Sequence, residues 1–345
     1  MTTPQSTPKT ALIIGATGSF GAHAVQALIK HGWTIRALAR DPASAAEKLG
    51  PRTPIAWIKG DAMNGADTLA AAQGAQLIVH AANPARYHNW KGTVLPMLEG
   101  SLAAAKAVGA RLVFPGNVYN YAPDMGPAIG EDAPQAPATR KGNIRVAMEE
   151  TLRAATEDGA KVLILRAGDF FGPAAPNSAL NWLTLRRRGK LTGVYQPGPA
   201  DVGHLYAYLP DLAETMARLA DEEARLAAFE VFNFRGHYLE RNGELAEAIG
   251  RVAGRPVPVR PFPWPMVWAL SPIVEMFREL YEMRYLWRRP IGLANDKLTQ
   301  FLGAEPHTAL DVALRASLAD MGCLEEPARQ PAPASRSSSA MAQTM

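Results

Sequence analysis

Short, uninterrupted apolar runs alternate with amphipathic stretches through the first half of the chain. The apolar runs occur in KTALIIGATG, WTIRALAR, TPIAWIKGD, QLIVHAANP, ARLVFPGN and KVLILRAGD. Helical patterns lie between several of them, including AHAVQALIKHG, VLPMLEGSLAAAKAVGA and IRVAMEETLRAATEDGA. Strands that are apolar on both faces and separated by helices are typical of a parallel sheet covered on both sides. The pattern therefore predicts an α/β fold with a doubly wound parallel sheet.

A glycine-rich turn, GATGSFG, joins the first predicted strand to the first predicted helix, with the spacing GxxGxxG. In a dinucleotide site, such glycines permit a tight turn, a close approach of the backbone to a pyrophosphate, and close packing of helix and strand. The N–H groups at the helix N-terminus favour the phosphates. A plain strand-to-helix turn is the alternative, but the position between strand and helix favours a Rossmann-type cofactor site. We expect the cofactor to contact Gly15, Thr17, Gly18, Ser19, Phe20 and Gly21.

The end of the second predicted strand indicates which dinucleotide is bound. An NAD site needs an acid here for the ribose 2′-hydroxyl, but this chain has Ala39 followed by Arg40. A guanidinium can bind a 2′-phosphate through two hydrogen bonds, and Arg36 on the same strand could assist. The alternative for Arg40 is a surface ion pair with Asp41. We favour NADP as the cofactor over NAD.

The regular alternation ends near Gly172. Proline and glycine are frequent from 172 to 203, and a short strand, FEVFNFRG, and a helix, NGELAEAIGRVAG, follow later. The ends of the chain are polar or of low complexity, which indicates disorder. The predicted divisions are a disordered lead at 1–9, a Rossmann-type dinucleotide-binding domain at 10–172 with a contribution from 204–235, a smaller mixed C-terminal substrate-binding lobe at 173–322, and a disordered tail at 323–345.

The composition is that of an ordinary globular protein. Among 345 residues, 48% are hydrophobic and 20% are charged, and the formal net charge is +4. The run Arg186–Arg188 is more typical of an exposed helix end than of a nucleic-acid site. The single cysteine, Cys323, excludes a disulfide within the chain and a cysteine-rich metal site, which suits a reducing cytoplasm. Because no signal-peptide or membrane-spanning pattern is evident, we expect a cytoplasmic protein with no metal, nucleic-acid or membrane partner.

Further motifs follow the glycine turn in order along the chain. They are Gly60–Ala62, His80–Pro84, Leu165–Pro173 and Tyr208–Leu212. Together with GATGSFG, they resemble the short-chain dehydrogenase/reductase superfamily, in the extended or atypical branch that includes NAD(P)-dependent epimerases and dehydratases. The match runs from about residue 10 to 322. The resemblance implies that Asp61 and Ala62 meet the adenine, that Ala81, Ala82 and Asn83 line the cofactor, and that Ala167 and Phe170 border the nicotinamide.

The catalytic residues of that superfamily are replaced in this chain. The superfamily has a Ser or Thr after the fifth strand and Tyr-x-x-x-Lys on the next helix. By position, the Ser becomes Asn117, the Tyr becomes Lys141 and the Lys becomes Arg145. Tyr119 and Tyr121 precede that helix, and a phenol from either could reach the pocket.

The helix start TRKGNIRVAMEE, residues 139–150, therefore has two interpretations. In the first, Lys141, Arg145 and Glu149 form an exposed ladder of i, i+4 charges. In the second, which we favour, the same face meets the nicotinamide ribose. Arg145 stays protonated and would hold the ribose. The pKa of Lys141 would be lowered by burial and by the like charge of Arg145, so that Lys141 donates a proton to a carbonyl oxygen that Asn117 also hydrogen-bonds.

Three residues are candidates for substrate contact. Asp169 stands where nucleotide-sugar enzymes of the superfamily commonly have an asparagine that contacts the diphosphate of the substrate. A carboxylate here would repel a diphosphate, although a helix or turn cap is the alternative role for Asp169. Tyr121 could reach the pocket from before the helix. His204 could approach the lobe, but a lone histidine is more often a satisfied surface or core residue.

The segment PFPWPMVWALSPIVEMFRELYEMRYLWRRP has apolar and aromatic residues at helical spacing. Such a stripe usually belongs to a core. Lining an apolar pocket and pairing subunits in a homodimer stay open as alternatives. Membrane association is the least favoured interpretation, because Glu275, Glu279 and Glu282 interrupt the apolar positions.

Three functions are compatible with these patterns. The first is an NADP-dependent oxidoreductase that reduces a carbonyl or similar group of a small, fairly apolar molecule. The second is an NAD(P)-dependent epimerase or dehydratase that keeps its cofactor bound and recycles it. The third is a non-catalytic regulator that senses NADP(H), for which the loss of Tyr and Lys is the best support. Net consumption of NADPH separates the first function from the second.

Overall fold

The computed structural model describes residues 9–50, 52–83 and 90–324. The predicted disordered lead and tail lie outside these ranges, except for Lys9, Cys323 and Leu324, and Pro84 of the predicted cofactor motif lies outside them as well. No helix within these ranges is long and apolar enough to cross a membrane.

A seven-stranded, entirely parallel sheet forms the centre of the protein and confirms the predicted fold class. From one edge to the other, its strands are β3 (Ile55–Lys59), β2 (Thr34–Ala39), β1 (Thr10–Ile14), β4 (Leu77–His80), β5 (Arg111–Asn117), β7 (Lys161–Ala167) and β12 (Phe229–Asn233). The strand order reverses between β1 and β4. Doubly wound sheets bind their ligands at the carboxyl ends of the strands next to such a point.

Helices cover both faces of the central sheet. One face carries α1 (Ser19–Lys30), α2 (Pro42–Leu49), α7 (Leu209–Asp221) and α11 (Asp296–Leu302), and the other carries α3 (Gly65–Ala72), α4 (Trp90–Val108) and α5 (Arg140–Glu157). Successive strand residues alternate between the two resulting cores: Ile13 and Val79 belong to the first, whereas Leu12 and Ile78 belong to the second. This alternation explains why the strands are apolar without interruption.

A smaller lobe of short strands and helices accompanies the central sheet and completes the predicted architecture. Its strands are β6 (Gly126–Ile129) paired with β15 (Ile291–Leu293), the group β8 (Asp169–Phe171), β11 (His204–Tyr208) and β13 (His237–Leu239), and the group β9 (Thr184–Arg187), β10 (Lys190–Gln196) and β14 (Val259–Pro261). Its helices are α6 (Ala179–Leu183), α8 (Gly243–Ala253), α9 (Trp264–Leu270), α10 (Glu275–Glu282) and α12 (Leu310–Asp320). Leu180, Leu245 and Leu314 are among the residues of a third core in this lobe.

The aromatic segment that contains α9 and α10 has residues in three environments. Val267 is buried, and Trp264 and Val274 line the large cavity beside the central sheet. In contrast, Trp268 is 62% exposed and Ile273 is 84% exposed. The apolar stripe therefore contributes to both a core and a cavity wall, and it also leaves an apolar patch on the surface.

Candidate active site

A large cavity of about 1540 Å³ runs from the carboxyl ends of the central strands to α9 and α10 of the lobe. Small-molecule pockets are usually about 300–1,000 Å³, so this cavity has room for a dinucleotide together with a second molecule. The predicted site residues on its wall are Gly15, Thr17, Gly18, Ser19, Phe20, Arg40, Asp61, Ala62, Ala81, Ala82, Asn83, Asn117, Tyr119, Lys141, Arg145, Asp169 and Phe170. The topology thus gathers most of the predicted residues into one site.

Two glycines of the turn, Gly15 and Gly21, are packed too tightly for a side chain. Gly15 has a φ of +90°, and a Cβ atom there would lie 2.7 Å from the carbonyl carbon of Ala81. A Cβ atom on Gly21 would overlap the carbonyl oxygen of Gly15, and Gly21 does not line the cavity. Gly21 therefore allows α1 to pack against the turn, whereas Gly15 and Gly18 form the cavity wall.

The N-terminus of α1 faces the cavity and has the features of an anion site. Gly18 is the N-cap residue, no side chain caps the helix, and its first turn contains no acidic residue. Ser19 and Phe20 at the start of the helix also line the cavity, and the ring of Phe20 stacks on that of Phe170 with centroids 6.4 Å apart. Backbone N–H groups and the helix dipole at this position suit a phosphate, so the turn fits the pyrophosphate of a dinucleotide.

The end of the cavity beside β2 and α2, where an adenosine is expected, carries two exposed cations, Arg40 and Lys48. Arg40, Ser44 and Lys48 line the wall beside β2 and α2. Asp41 caps α2, where its carboxylate accepts the backbone N–H of Ser44 at 3.2 Å. Asp61 also lines the cavity, and its carboxylate accepts the N–H of Met63 at 3.0 Å. The group suits an adenosine that carries an additional phosphate.

Arg36 was the wrong choice as a second phosphate ligand. Its guanidinium donates to the carbonyl oxygen of Gln73, at the end of α3, and Arg36 does not line the cavity. Arg36 lies inside β2, where the side chain meets a neighbouring element, whereas Arg40 follows the end of the strand and reaches the cavity.

The residues at the positions of the superfamily's catalytic set line the same cavity. Asn117 is the last residue of β5, and its side-chain oxygen accepts the N–H of Tyr119 at 3.0 Å. Arg145 places its guanidinium carbon 5.4 Å from the ring centroid of Phe114. Lys141 joins Asn117 and Arg145 on the cavity wall.

The exposed ladder of charges on α5 is excluded by burial. Lys141 is 3% exposed and Glu149 is 4% exposed. The ammonium of Lys141 donates to the carbonyl oxygen of Glu279 at 3.1 Å and lies 3.3 Å from the carboxylate of the same residue. Burial lowers the pKa of Lys141, while Glu279 opposes this effect. The like charge that further lowers the pKa is Arg140, not Arg145 as the sequence had suggested.

Tyr121 is a core residue and not a substrate contact. It is fully buried, and its hydroxyl oxygen accepts a hydrogen bond from Arg166 at 2.6 Å. The Arg166 guanidinium also holds Glu149 at 2.6 and 3.1 Å. Burial raises the pKa of Tyr121 to about 12. Ala167, at the end of β7, is likewise buried in the core, and the cavity wall begins at the next residue, Gly168.

Asp169 and His204 form a pair at the edge of the lobe. Asp169 lines the cavity, and its carboxylate lies 2.9 Å from Nε2 of His204. His204 does not line the cavity, because it lies behind Asp169 with its ring stacked on Trp287 at 5.5 Å between centroids. His204 is therefore a buried histidine that is hydrogen-bonded to Asp169 and to the carbonyl oxygen of Leu286.

Sequence reasoning missed Glu279, which binds Lys141 from the lobe. Glu279 lies on α10 between Met276 and Met283, three and four residues away, and all three line the cavity. An acid at this position of an amphipathic helix lies on its apolar face. The position of Glu279 among the apolar residues of α10 was therefore a signal for a buried acid, but it was interpreted as an interruption of the apolar stripe.

The lobe supplies a largely apolar wall. Its apolar lining residues are Phe170, Ala179, Trp182, Leu183, Pro197, Phe262, Trp264, Val274, Met276, Leu280, Met283, Leu286 and Trp287. Of the described residues from 168 to 287 on this wall, the charged ones are Asp169 and Glu279, and both are acidic. Within the described residues, no group of three or more His, Cys, Asp or Glu side chains could hold a metal ion.

Comparison with known proteins gives one family and a set of structural relatives. The model of the NAD dependent epimerase/dehydratase family matches residues 11–234. No curated protein matches the sequence.

Three solved epimerases share the fold over almost their whole length. UDP-glucose 4-epimerase from Bifidobacterium longum, solved with NAD+ and UDP, is 18% identical with a TM-score of 0.68, and the match covers 90% of this chain and 97% of that chain. UDP-glucuronic acid 4-epimerase from Bacillus cereus, solved with NAD, is 16% identical with a TM-score of 0.70, covering 90% and 98%. The UDP-Glc/GlcNAc 4-epimerase from Campylobacter jejuni is 17% identical with a TM-score of 0.69, covering 91% and 99%.

Proposed function

The chain belongs to the NAD dependent epimerase/dehydratase family, and we propose that it transfers hydride to and from a carbon that bears a hydroxyl or carbonyl group. This family consists of nicotinamide-dependent enzymes in the extended branch of the short-chain dehydrogenase/reductases. The substrate in this proposal is a small, fairly apolar molecule without a phosphate. The observation that carries it is the largely apolar wall of the lobe, on which the charged side chains among the described residues are Asp169 and Glu279.

The charge of this wall argues against a nucleotide-sugar substrate. The solved relatives named above are UDP-sugar epimerases. A diphosphate needs cationic or N–H donors, but Asp169 stands at the position to which the superfamily resemblance assigns the diphosphate contact. The second acid, Glu279, is already paired with Lys141 and Arg140. A diphosphate is therefore disfavoured by Asp169 and by the lack of Lys and Arg among the described lobe residues of this wall. An uncharged aromatic or aliphatic molecule would gain from burial against Trp264, Met276 and Trp287.

The proposed cofactor is NADP rather than NAD. Arg40 and Lys48 at the adenosine end of the cavity support a 2′-phosphate. The residue at the end of β2, Ala39, has no carboxylate for a ribose hydroxyl. The solved relatives from Bifidobacterium longum and Bacillus cereus contain NAD. Because these relatives are only 18% and 16% identical, they show a shared fold but not shared ribose-binding residues. The choice of cofactor is therefore argued from the residues of this chain.

The side chains of this protein have distinct proposed roles around the bound cofactor. The α1 N-terminus and glycine turn would hold the pyrophosphate, and Arg145 would hold the nicotinamide ribose. The bound nicotinamide supplies or accepts the hydride. Asn117 would hydrogen-bond the oxygen of the substrate, and the apolar wall would exclude water from the reacting carbon. Lys141 would position the lobe through Glu279, in addition to any contact with the substrate oxygen.

Family membership favours recycling of the cofactor over net reduction. Epimerases and dehydratases return the hydride to the same substrate, and the family match supports this interpretation better than the NADPH-consuming reductase that the sequence analysis placed first. Family membership likewise disfavours the non-catalytic regulator, because the family consists of enzymes.

A test uses purified protein and two uncharged aryl probes. Acetophenone is supplied with NADPH, and one enantiomer of 1-phenylethanol is supplied with NADP+. The proposal predicts racemisation of the alcohol without lasting accumulation of NADPH, whereas steady oxidation of NADPH by acetophenone would establish the net reductase. UDP-glucose is the comparison substrate, and its turnover in place of both aryl probes would contradict an apolar, phosphate-free substrate.

A further inference from the structure

The pair formed by Asp169 and His204 has a hydrogen-bonding geometry that the proposed function does not yet explain. The two residues lie on neighbouring strands, with β8 pairing to β11 in a register that puts Asp169 beside Tyr206. His204 is two residues before Tyr206 and therefore points to the same face of the strand. Its Nε2 atom lies 2.9 Å from Oδ2 of Asp169, and its Nδ1 atom lies 2.9 Å from the carbonyl oxygen of Leu286.

Both nitrogens of the His204 ring thus face oxygen acceptors. A neutral imidazole has one N–H donor and one acceptor nitrogen, and neither a carbonyl oxygen nor an ionised carboxylate can donate a hydrogen bond. The two contacts are satisfied together only when one additional proton is present. That proton lies either on the ring, giving an imidazolium beside a carboxylate, or on the carboxyl group of Asp169.

The surroundings shield the ring of His204 from solvent. His204 is 4% exposed and is enclosed by the rings of Tyr206 and Trp287, whose centroids lie 4.6 and 5.5 Å from its own. The neighbouring titratable groups are Tyr206, Tyr285 and, farther along, Glu282. Burial raises the pKa of both phenols, and the charge of Asp169 raises them further, so both stay neutral.

Only Asp169 connects the pair to the cavity. Its side chain is 17% exposed and forms part of the cavity wall, whereas His204 lies behind it. The neighbouring wall residues Phe170 and Trp287 are apolar. A substrate oxygen that reaches this wall would meet a carboxyl group that shares a proton with a buried imidazole.

We propose that Asp169 and His204 together store and deliver the proton that the substrate oxygen gains or loses, in place of the tyrosine that this family ordinarily uses. This inference rests on the proposed hydride-transfer function. In the reducing direction, the hydride brings its electron pair to the carbonyl carbon, the π electrons move to the oxygen, and the oxygen takes the proton from Asp169. When the proton rests on the ring, Nε2 of His204 passes it to Asp169 as the oxygen takes it, and the pair then regains one proton from water. In the oxidising direction, the pair first loses its shared proton to water, and Asp169 then takes the hydroxyl proton and shares it with His204.

The contacts of Lys141 support this division of roles. Its ammonium is already engaged by the carbonyl oxygen and the carboxylate of Glu279. A lysine held in this way joins α5 to α10. The proton donor that we propose, Asp169, lies elsewhere on the same cavity wall and shares its proton with His204. Asp169 is therefore the candidate catalytic residue, and His204 is its positioning and proton-holding partner.

The first experiment measures the stored proton without cofactor or substrate. Nuclear magnetic resonance of protein labelled with 15N-histidine and 13C-aspartate is recorded at neutral pH, and His204→Gln and Asp169→Asn assign the signals. We expect either a doubly protonated ring at His204 or a protonated carboxyl group at Asp169. In Asp169→Asn the amide can donate to Nε2, so His204 should become neutral. A neutral ring beside an ionised carboxylate in the wild-type protein would overturn the proposal.

The second experiment separates proton delivery from cofactor binding. Asp169→Asn should reduce racemisation of 1-phenylethanol and reduction of acetophenone by about a hundredfold or more, while its dissociation constant for NADPH stays within about twofold of the wild-type value. The exposed lobe residue Asp201 provides a matched control in Asp201→Asn. Unchanged turnover of Asp169→Asn would sink the proposal.

A third set of results distinguishes this inference from the proposed function. If Asp169→Asn fails to fold, His204→Gln is tested, because glutamine can still donate to Asp169 but cannot carry the proton; it should lose turnover similarly and change the pH profile. If the wild-type protein turns over neither probe but shows the shared proton, the hydride-transfer proposal fails while the proton store stands. If turnover is present without the shared proton, the hydride transfer stands and this inference fails.

Discussion

At the residue scale, the arginines of the second strand show how far sequence reasoning reaches. Arg36 and Arg40 are four residues apart, and the sequence suggested that both approach the cofactor phosphate. The structure turns Arg36 to the carbonyl oxygen of Gln73, while Arg40 lines the cavity with Lys48. The sequence identified the position after the strand, but the partner of Arg36 comes from the end of another helix, which no local pattern reveals.

Substitution of Arg40 tests the choice between the two dinucleotides. Arg40→Ala should weaken NADPH binding by about tenfold to a hundredfold, because a charge-assisted hydrogen bond contributes roughly 1.5–3 kcal/mol. Binding of NADH should change little. Titration calorimetry measures both affinities, and Arg36→Ala is the matched control that should leave the ratio of the two affinities unchanged. Equal weakening of NADPH and NADH would show that Arg40 does not read the 2′-phosphate.

Substitution of Lys141 separates its structural role from its chemical role. Lys141→Met removes the buried cation of the Glu279 carboxylate and leaves it with Arg140 at 2.5 Å and Arg278 at 3.8 Å. We expect the free energy of unfolding to fall by about 2 kcal/mol. Adding Glu279→Gln should restore much of that loss, as urea denaturation would show. If Lys141→Met alone is as stable as the wild type, the ion pair between α5 and α10 does not stabilise the protein.

At the scale of elements, the turn between β1 and α1 is where sequence and structure agree most closely. The sequence assigned separate roles to its three glycines, and the packing of Gly15 and Gly21 fits those roles. The helix α10 gave a poorer prediction. Its apolar stripe was recognised, but the direction of Glu279 depends on Lys141, more than a hundred residues earlier in the chain. The burial of Tyr121 was likewise not predictable locally, because its hydrogen-bond partner, Arg166, lies on β7, farther along the chain.

Replacing the third glycine should separate α1 from the turn. In Gly21→Ala, the new methyl group would overlap the carbonyl oxygen of Gly15, so the helix must shift. We expect a lower melting temperature together with weaker NADPH binding. Gly65→Ala is the matched control, since no atom lies within 4 Å of its added Cβ and its φ is ordinary. This control should be neutral or stabilise the protein by up to about 1 kcal/mol. Normal NADPH affinity in Gly21→Ala would contradict the packing role.

At the scale of the whole molecule, the fold followed from the sequence because its strands are buried on both faces. The cavity was less predictable. Its wall combines the glycine turn, the end of β5, the start of α5 and the lobe helices, which are distant along the chain. The resemblance to the short-chain dehydrogenase/reductase superfamily indicated the glycine turn, the end of β5 and the start of α5. The lobe contributes residues from a region of irregular pattern, and only the fold shows which of them face the cavity.

Buried histidines predict how the stability of the molecule depends on pH. Burial lowers the pKa of His80 to about 4, with Arg145 adding to the effect, and burial lowers that of His237 to about 4 as well. Because the folded pKa lies below the unfolded value of 6.5, the stabilisation is complete above that value and is lost as the pH falls towards 4. The loss from His80 is roughly 3 kcal/mol.

Urea denaturation at pH 7 and at pH 5 measures this dependence. The wild-type protein should be less stable at pH 5, and His80→Asn should show a smaller difference between the two conditions. The asparagine amide can still donate to Ser101, the partner of Nδ1 of His80 at 2.8 Å. Equal pH dependence in the variant and the wild type would mean that His80 does not stay neutral in the folded protein.

We propose above all that a nicotinamide dinucleotide with a 2′-phosphate binds across the glycine turn, with its adenosine end at Arg40. Calorimetric titration of the purified wild-type protein with NADPH and with NADH measures this binding. We expect saturable binding of one dinucleotide per chain, with NADPH at least tenfold tighter than NADH because of the charge-assisted contacts. If neither dinucleotide binds, this proposal is wrong, and tighter binding of NADH would contradict the role assigned to Arg40.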